Sequence, residues 1–190
     1  MNTKSIMIVG VGGQGSLLAS RLMGHVLLAQ GYDVKVSEVH GMSQRGGSVV
    51  TYVKYGDKVA SPIIEKGEAD LIISFEQLEA ARWIPFLKKD GKMVVSTQKT
   101  DPMPVITGSA TYPENIIEKI KALGIDIIAI DALEIAESLG NAKASNVVIM
   151  GAVAKRLDFE EKFWQDAIEE CVPAKFLELN KKAFELGKNT

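Results

Sequence analysis

The segment from Ile6 to Gly15 constrains the fold of this chain more than any other. An apolar run, Ile-Met-Ile-Val, breaks into glycines at Gly10, Gly12 and Gly15, the spacing of a strand that turns tightly into a helix. A β-carbon at these positions would obstruct the turn, a ligand, or the packing of helix on strand. The N–H groups and partial positive charge of a helix start favour an anion. The segment therefore predicts a turn that faces a phosphate group.

Composition excludes several classes of protein. The chain has 190 residues, of which 46% are hydrophobic, and a formal net charge of -2 without long charged blocks. This favours a globular domain and gives no basic footprint for nucleic acid. No apolar stretch approaches the roughly 20 residues that span a bilayer, and residues 1–5 leave no room for a signal peptide, so we expect a cytoplasmic protein. Cys171 is the single cysteine, so the chain cannot supply the four or so thiolates of an iron–sulfur cluster. We expect Cys171 to be a structural thiol.

Strand and helix patterns alternate as far as residue 131. Strands are predicted over 33–37, 70–75, 92–96 and 125–130, and helices over 16–30, 77–87 and 114–123. Residues 49–53 and 58–60 are predicted to pair as a hairpin, and 97–113 to be a loop with a short extended piece at 105–107. Later helices are predicted over 132–139, 144–157, 160–171 and 174–186.

The alternation predicts an α/β fold with a doubly wound, largely parallel Rossmann-like sheet. We assign residues 1–131 to this core and 132–190 to a helical C-terminal part, within one domain of residues 1–190. The first helix is apolar on nearly every face, and the last two helices are rich in aromatic residues. Both features suit a permanent interface with another subunit or with a second copy of the chain.

A second candidate segment follows the second predicted strand. It combines a cation, hydroxyls, an amide and glycines: Ser43, Gln44, Arg45, Gly46, Gly47 and Ser48. Such a loop suits phosphate or carboxylate. Glu38 stands where a dinucleotide-binding fold places its acidic residue for a ribose hydroxyl, but the glycines also suit packing alone, and both interpretations stay open. His40 is expected to anchor the loop rather than to act as an acid or base.

A third polar segment lies between two predicted C-terminal helices. Asn141 and Asn146 suit either helix capping or contact with a ligand, and we expect capping. Asp131 and Glu134 are expected to form a helix start rather than a catalytic pair.

Together, the segments Gly10 to Gly15 and Glu38 to Ser48 resemble those of one family closely. The chain is similar to the gamma-type subunit of 2-oxoacid:ferredoxin oxidoreductases, and the resemblance extends through Gly140-Asn141 and Asn146 to Asn180. It implies a subunit that supports the oxidative decarboxylation of a 2-oxoacid, expected to be indolepyruvate or another aryl pyruvate. The products are acyl-CoA, carbon dioxide and electrons passed to ferredoxin.

The resemblance also implies a division of labour. Thiamine diphosphate and the iron–sulfur clusters belong to a partner subunit, and this chain alone holds no cofactor, catalytic residue or metal ligand. Ferredoxin is reached through the complex, and a homodimer of the isolated chain remains possible. Coenzyme A is expected at a shared site lined by Gly10, Gly12, Gly13, Gln14, Gly15, Ser43, Gln44, Arg45, Gly46, Gly47 and Ser48.

Two other functions compete with this one. The glycine turn is also typical of a stand-alone NAD(P)-dependent dehydrogenase, although 190 residues leave little room for a second catalytic domain. A non-catalytic nucleotide-binding module would use the same turn.

Overall fold

The computed structural model describes residues 3–40 and 46–190, and a six-stranded sheet lies at the centre of that part of the chain. The strands are β1 (Lys4–Val11), β2 (Asp33–His40), β3 (Ser48–Gly56), β4 (Ala69–Ser74), β5 (Leu87–Ser96) and β6 (Asp126–Ile130). Their spatial order is β2-β3-β1-β4-β5-β6. Strands β1, β4, β5 and β6 are parallel, and β3 is antiparallel to both of its neighbours. The prediction of a largely parallel α/β sheet is therefore confirmed.

Helices cover both faces of this sheet. They are α1 (Ser16–Ala29), α2 (Gln77–Trp83), α3 (Met103–Ile106), α4 (Ile116–Ala122), α5 (Ala132–Ser138), α6 (Ser145–Ala154), α7 (Glu161–Cys171) and α8 (Leu177–Lys188). One face packs against α1 and the four C-terminal helices, and the other packs against α2 and α4. Strand β1 shows why the sequence has a continuous apolar run: Ile6 and Ile8 face the first group, while Met7 and Val9 face the second.

The predicted hairpin at residues 49–60 is wrong. Strand β3 runs unbroken from Ser48 to Gly56, and its hairpin partner is β2, across the segment that follows His40. Residues 58–60 form no strand, because β1 and β2 already occupy both edges of β3. Instead, the backbone N–H of Val59 donates to Asp33 Oδ2 at 2.8 Å.

Two further predictions need correction. The helix predicted over residues 77–87 ends at Trp83, and a 3-10 turn containing Pro85 then leads into β5. Proline carries no N–H to continue the helical hydrogen bonds. The piece at 105–107, predicted to be extended, belongs instead to a short helix, Met103–Ile106, with Thr107 as its C-cap.

The apolar and aromatic side chains of α1 and the C-terminal helices are largely buried within the chain. Helix α1 packs against α7, and α6 packs against α8. Trp164 and Phe184 are almost fully buried, with ring centroids 5.7 Å apart. Leu17 and Leu28 remain exposed on α1. The composition of these helices is thus explained mostly by their own core and is weak support for an interface between subunits.

Helices α6 and α8 touch through their backbones at two glycines. A β-carbon on Gly151 would lie 2.0 Å from the carbonyl oxygen of Phe184, and one on Gly187 would lie 1.9 Å from that of Val148. Atoms do not approach this closely, so a larger residue at either position would separate the helices. Within the described residues, no helix is long and apolar enough to cross a membrane.

Gly151→Ala is expected to lower the free energy of unfolding by about 1–3 kcal/mol, because the extra methyl group forces α6 and α8 apart. Thermal and urea unfolding would measure the change. Gly24→Ala is the matched control, since it is also a helical glycine but, apart from its chain neighbours and its own helix backbone, no described atom lies within 4 Å of the added carbon. It should be neutral or stabilising by up to about 1 kcal/mol. Equal destabilisation by both variants would contradict the close packing of α6 on α8.

Candidate functional site

The glycine turn forms the carboxyl end of β1 and the start of α1. Gly15 caps α1 with a left-handed backbone conformation, φ +89°, which glycine adopts without a steric penalty. Among the described side chains, none caps this helix start, and its first turn carries no acidic residue. The first N–H groups of α1 and the positive end of its dipole are therefore available to an anion.

Gln14 serves the turn itself. Its side-chain Oε1 accepts from the backbone N–H of Val11 at 2.8 Å, and its Nε2 donates to the carbonyl of Phe75 at 3.1 Å. Gly10 leaves space for this arrangement, because a β-carbon there would lie 2.8 Å from Gln14 Oε1. Gln14 thus ties the ends of β1 and β4 together, although it also lines a groove beside the turn.

The two glycine segments are hydrogen-bonded to each other. The backbone N–H of Gly12 donates to the carbonyl of Gly47 at 2.9 Å, and that of Gly46 donates to the carbonyl of Gly12 at 3.4 Å. The hydroxyl of Ser48 donates to the carboxylate of Glu79 on α2. Ser43, Gln44 and Arg45, predicted as ligand contacts, lie outside the described residues.

A groove of about 400 Å³, which we call the lysine groove, opens on one side of the turn. Besides residues 13–15, its walls include Gln98, Leu133, Lys143 and Asn146. Asn146 is 6% exposed, and its Oδ1 has no hydrogen-bond partner among the described residues. Its amide nitrogen would lie 2.3 Å from a β-carbon on Gly15. A buried amide oxygen without a hydrogen-bond donor is costly, and a bound ligand would satisfy it.

A second groove of about 380 Å³, the glutamate groove, lies on the other side of the turn. It is lined by Glu38 and Val49 together with residues at the start of α1. Glu38 pairs with Thr51 of β3, which in turn pairs with Ile8 of β1. Glu38 therefore lies two strand spacings from β1, about 9–10 Å. In a dinucleotide-binding fold, by contrast, the strand that carries the acidic residue lies directly beside β1.

Polar residues outside these grooves have structural roles. Asp131 accepts from the N–H of Glu134 at 3.0 Å, and Asn141 accepts from that of Lys143 at 3.1 Å, so both cap the turns that follow them. The expected capping by Asn146 is wrong: the residue lies within α6 and its side chain faces the lysine groove. Burial raises the pKa of the half-buried Cys171 thiol, consistent with an unreactive structural cysteine.

Sequence reasoning missed Gln98, Glu76 and Glu79. Gln98 lies two residues beyond β5 at the carboxyl edge of the sheet, which is where α/β folds place ligands, so its position was a usable signal. Glu76 and Glu79 appear in the sequence as ordinary residues at a helix start, and only the tertiary structure shows that both are buried.

Comparison with known proteins identifies the family. Residues 5–190 match the model of the pyruvate ferredoxin/flavodoxin oxidoreductase family, and the chain belongs to that family. It is 42% identical to the indolepyruvate oxidoreductase subunit IorB of Thermococcus kodakarensis, over 98% of this chain and 95% of that protein.

Solved structures agree in fold. The gamma subunit of a keto/oxoacid ferredoxin oxidoreductase from Geobacter sulfurreducens superposes with a TM-score of 0.72 at 23% identity, over 98% of this chain and 96% of that one. A 2-oxoglutarate:ferredoxin oxidoreductase from Magnetococcus marinus, with 2-oxoglutarate, coenzyme A and succinyl-CoA bound, gives 0.76 at 16% identity. It matches all of this chain, which covers 31% of that longer one.

The contact between Gly15 and Asn146 can be tested by substitution. Gly15→Ala is expected to destabilise the protein twice over, through its positive φ and through overlap with the Asn146 amide. Gly31→Ala is the matched control: its φ is +84°, but no atom of the described residues other than its chain neighbours lies within 4 Å of the added carbon. It should therefore show only the backbone strain, about 1 kcal/mol.

Chemical denaturation would compare the two variants, and Asn146→Ala should remove most of the difference between them. If Gly15→Ala costs no more than Gly31→Ala, the two residues are not in contact.

Proposed function

We propose that the chain is the subunit of an indolepyruvate:ferredoxin oxidoreductase that carries no thiamine diphosphate or iron–sulfur cluster, and that it forms one wall of the coenzyme A site. The observation that carries the proposal is the carboxyl edge of the sheet. There, two hydrogen-bonded glycine segments meet the free start of α1, beside a groove with Lys143 and the buried amide of Asn146. Identity of 42% to a subunit named for indolepyruvate supports that substrate.

In this proposal a partner subunit supplies the redox chemistry. One cysteine cannot ligate an iron–sulfur cluster, and the described residues contain no group of three or more histidine, cysteine or carboxylate side chains placed to hold a metal ion. In the Magnetococcus marinus enzyme, the matching fold occupies part of a longer chain. We infer that here the remaining machinery is a separate thiamine-bearing and cluster-bearing subunit, through which ferredoxin is reduced.

Charge at the edge of the sheet favours one orientation of coenzyme A. The ligand carries a diphosphate and a ribose phosphate at one end and an uncharged thiol arm at the other. Gly13 and Gly15, just before α1, line both grooves, so the side chains beside them decide between the two: Lys143 in the lysine groove attracts the phosphates, whereas Glu38 in the glutamate groove repels them. We therefore place the phosphate end in the lysine groove. Arg45, next to Gly46 in the sequence, is a further phosphate contact in this proposal.

The dinucleotide alternative fits the structure less well. Strand β3 lies between β1 and β2 and runs antiparallel to both, so Glu38 is displaced from the position that binds a ribose in a dinucleotide fold. If the purified chain alone reduces NAD with a 2-oxoacid or 2-hydroxyacid, the subunit proposal fails. Co-purification with a cysteine-rich thiamine enzyme that shows CoA-dependent decarboxylation would support it.

Lys143→Ala and Arg45→Ala are each expected to raise the KM for coenzyme A about tenfold in the assembled complex, because each removes a charge-assisted contact to phosphate. The kcat at saturating coenzyme A should change little. Lys155→Ala is the control, since Lys155 lies at the opposite end of α6 and donates to the backbone of Thr190 at 2.6 Å. A residue whose removal leaves KM unchanged in a normally assembled complex does not contact the phosphates.

A further inference from the structure

The start of α2 carries two buried carboxylates that the proposed ligand site does not use directly. Glu76, the N-cap, is 1% exposed, and Glu79 is 4% exposed. One bond between them belongs to the helix itself, from the N–H of Glu79 to Glu76 Oε2 at 2.9 Å. A single cap would satisfy a short helix. Each carboxylate also binds residues outside α2, and a buried carboxylate is tolerated only when it is paired in this way.

Glu79 binds the residue that ends the second glycine segment. One carboxylate oxygen accepts from the hydroxyl of Ser48 and from Trp83 Nε1, the latter at 3.2 Å, and the other accepts from Arg82 Nε at 3.0 Å. Ser48 directly follows Gly47, whose carbonyl is bonded to the N–H of Gly12. Glu79 therefore fixes the point at which this segment re-enters the sheet, from the face opposite α1.

Glu76 binds the other wall of the site. Its Oε1 accepts from the N–H of Thr100 at 3.2 Å and from the hydroxyl of Tyr112. Burial and the bond to Glu76 raise the pKa of Tyr112, so its hydroxyl remains a donor at neutral pH. The neighbouring Gln77 donates its backbone N–H to the carbonyl of Gln98 at 3.1 Å. Residues 97–100 are thus held in place, and Gln98 among them lines the lysine groove.

We propose that Glu76 and Glu79 are positioning residues of the coenzyme A site, which set the separation and orientation of its two walls from a single helix turn. This inference rests on the proposed function. Neither carboxylate touches the ligand: Glu79 acts through Ser48 on the glycine segments, and Glu76 acts through residues 97–100 on Gln98. Loss of either bond leaves the reacting groups on the partner subunit unaffected, so it weakens coenzyme A binding without slowing turnover at saturation.

The test compares Glu79→Ala, Ser48→Ala and the double variant in the assembled complex, with KM for coenzyme A, kcat and thermal stability measured for each. We expect each single variant to raise KM about fivefold to tenfold with kcat unchanged. The KM of the double variant should be no higher than that of either single variant. Ser48→Thr, which keeps the hydroxyl, should restore KM. Tyr112→Phe tests the Glu76 arm without removing the helix cap.

Asp70→Asn is the matched control. Asp70 Oδ2 accepts from the backbone N–H of Ser5 at 2.9 Å, a comparable structural bond at the opposite edge of the sheet. This variant should lower stability and leave KM unchanged. The inference is overturned if Glu79→Ala behaves like Asp70→Asn, or if the effects of Glu79→Ala and Ser48→Ala on KM multiply. Calorimetric titration of the wild-type complex with coenzyme A distinguishes failure of this inference from failure of the proposed function. If the wild-type complex does not bind coenzyme A, the proposed function itself is wrong.

Discussion

The pair of backbone hydrogen bonds between Gly12 and the Gly46–Gly47 segment organises the edge of the sheet at which we place the ligand site. It exists because β3 is inserted, antiparallel, between β1 and β2. The insertion brings a segment about 30 residues further along the chain directly onto the glycine turn, so two weak motifs become one surface. In a fully parallel sheet with β2 beside β1, the glycine turn would be open to a dinucleotide, and the Gly46–Gly47 segment would not contact it.

Around this pairing, the two faces of the sheet have different tasks. On one face, α1 and the C-terminal helices bury most of their apolar side chains against each other, with α6 delivering Asn146 to the turn. On the other face, the first turn of α2 holds the loops on both sides of the site through buried carboxylates. The ligand-facing surface that we propose is thus built from backbone and polar groups whose positions depend on rigid packing behind them. Such a surface suits a ligand shared with a partner better than a self-contained active site.

The sequence was sufficient for the fold class, for most helices and strands, and for the two glycine segments. Their signals are local: periodicity, turn residues and the apolar run of β1. Strand order was not predictable, because the insertion of β3 depends on pairing between residues distant in sequence. The same limit explains the wrong hairpin at residues 49–60.

Asn146 was expected to be a cap because asparagine near the start of a helix usually caps it. Its position beside Gly15, facing the lysine groove, depends on tertiary packing. Whether Arg45 contacts the ligand stays a prediction from sequence.

Hydrogen–deuterium exchange on the assembled complex, with and without coenzyme A, is the most direct test of whether this chain forms one wall of the coenzyme A site. Amides that face a bound phosphate exchange more slowly, and among the described residues no side chain caps the start of α1 to mask the effect. We expect coenzyme A to protect peptides covering residues 12–18 and 142–147, while peptides at the opposite edge, such as residues 87–91, are unchanged. Protection confined to the partner subunit, or equal protection by NAD, would contradict this expectation.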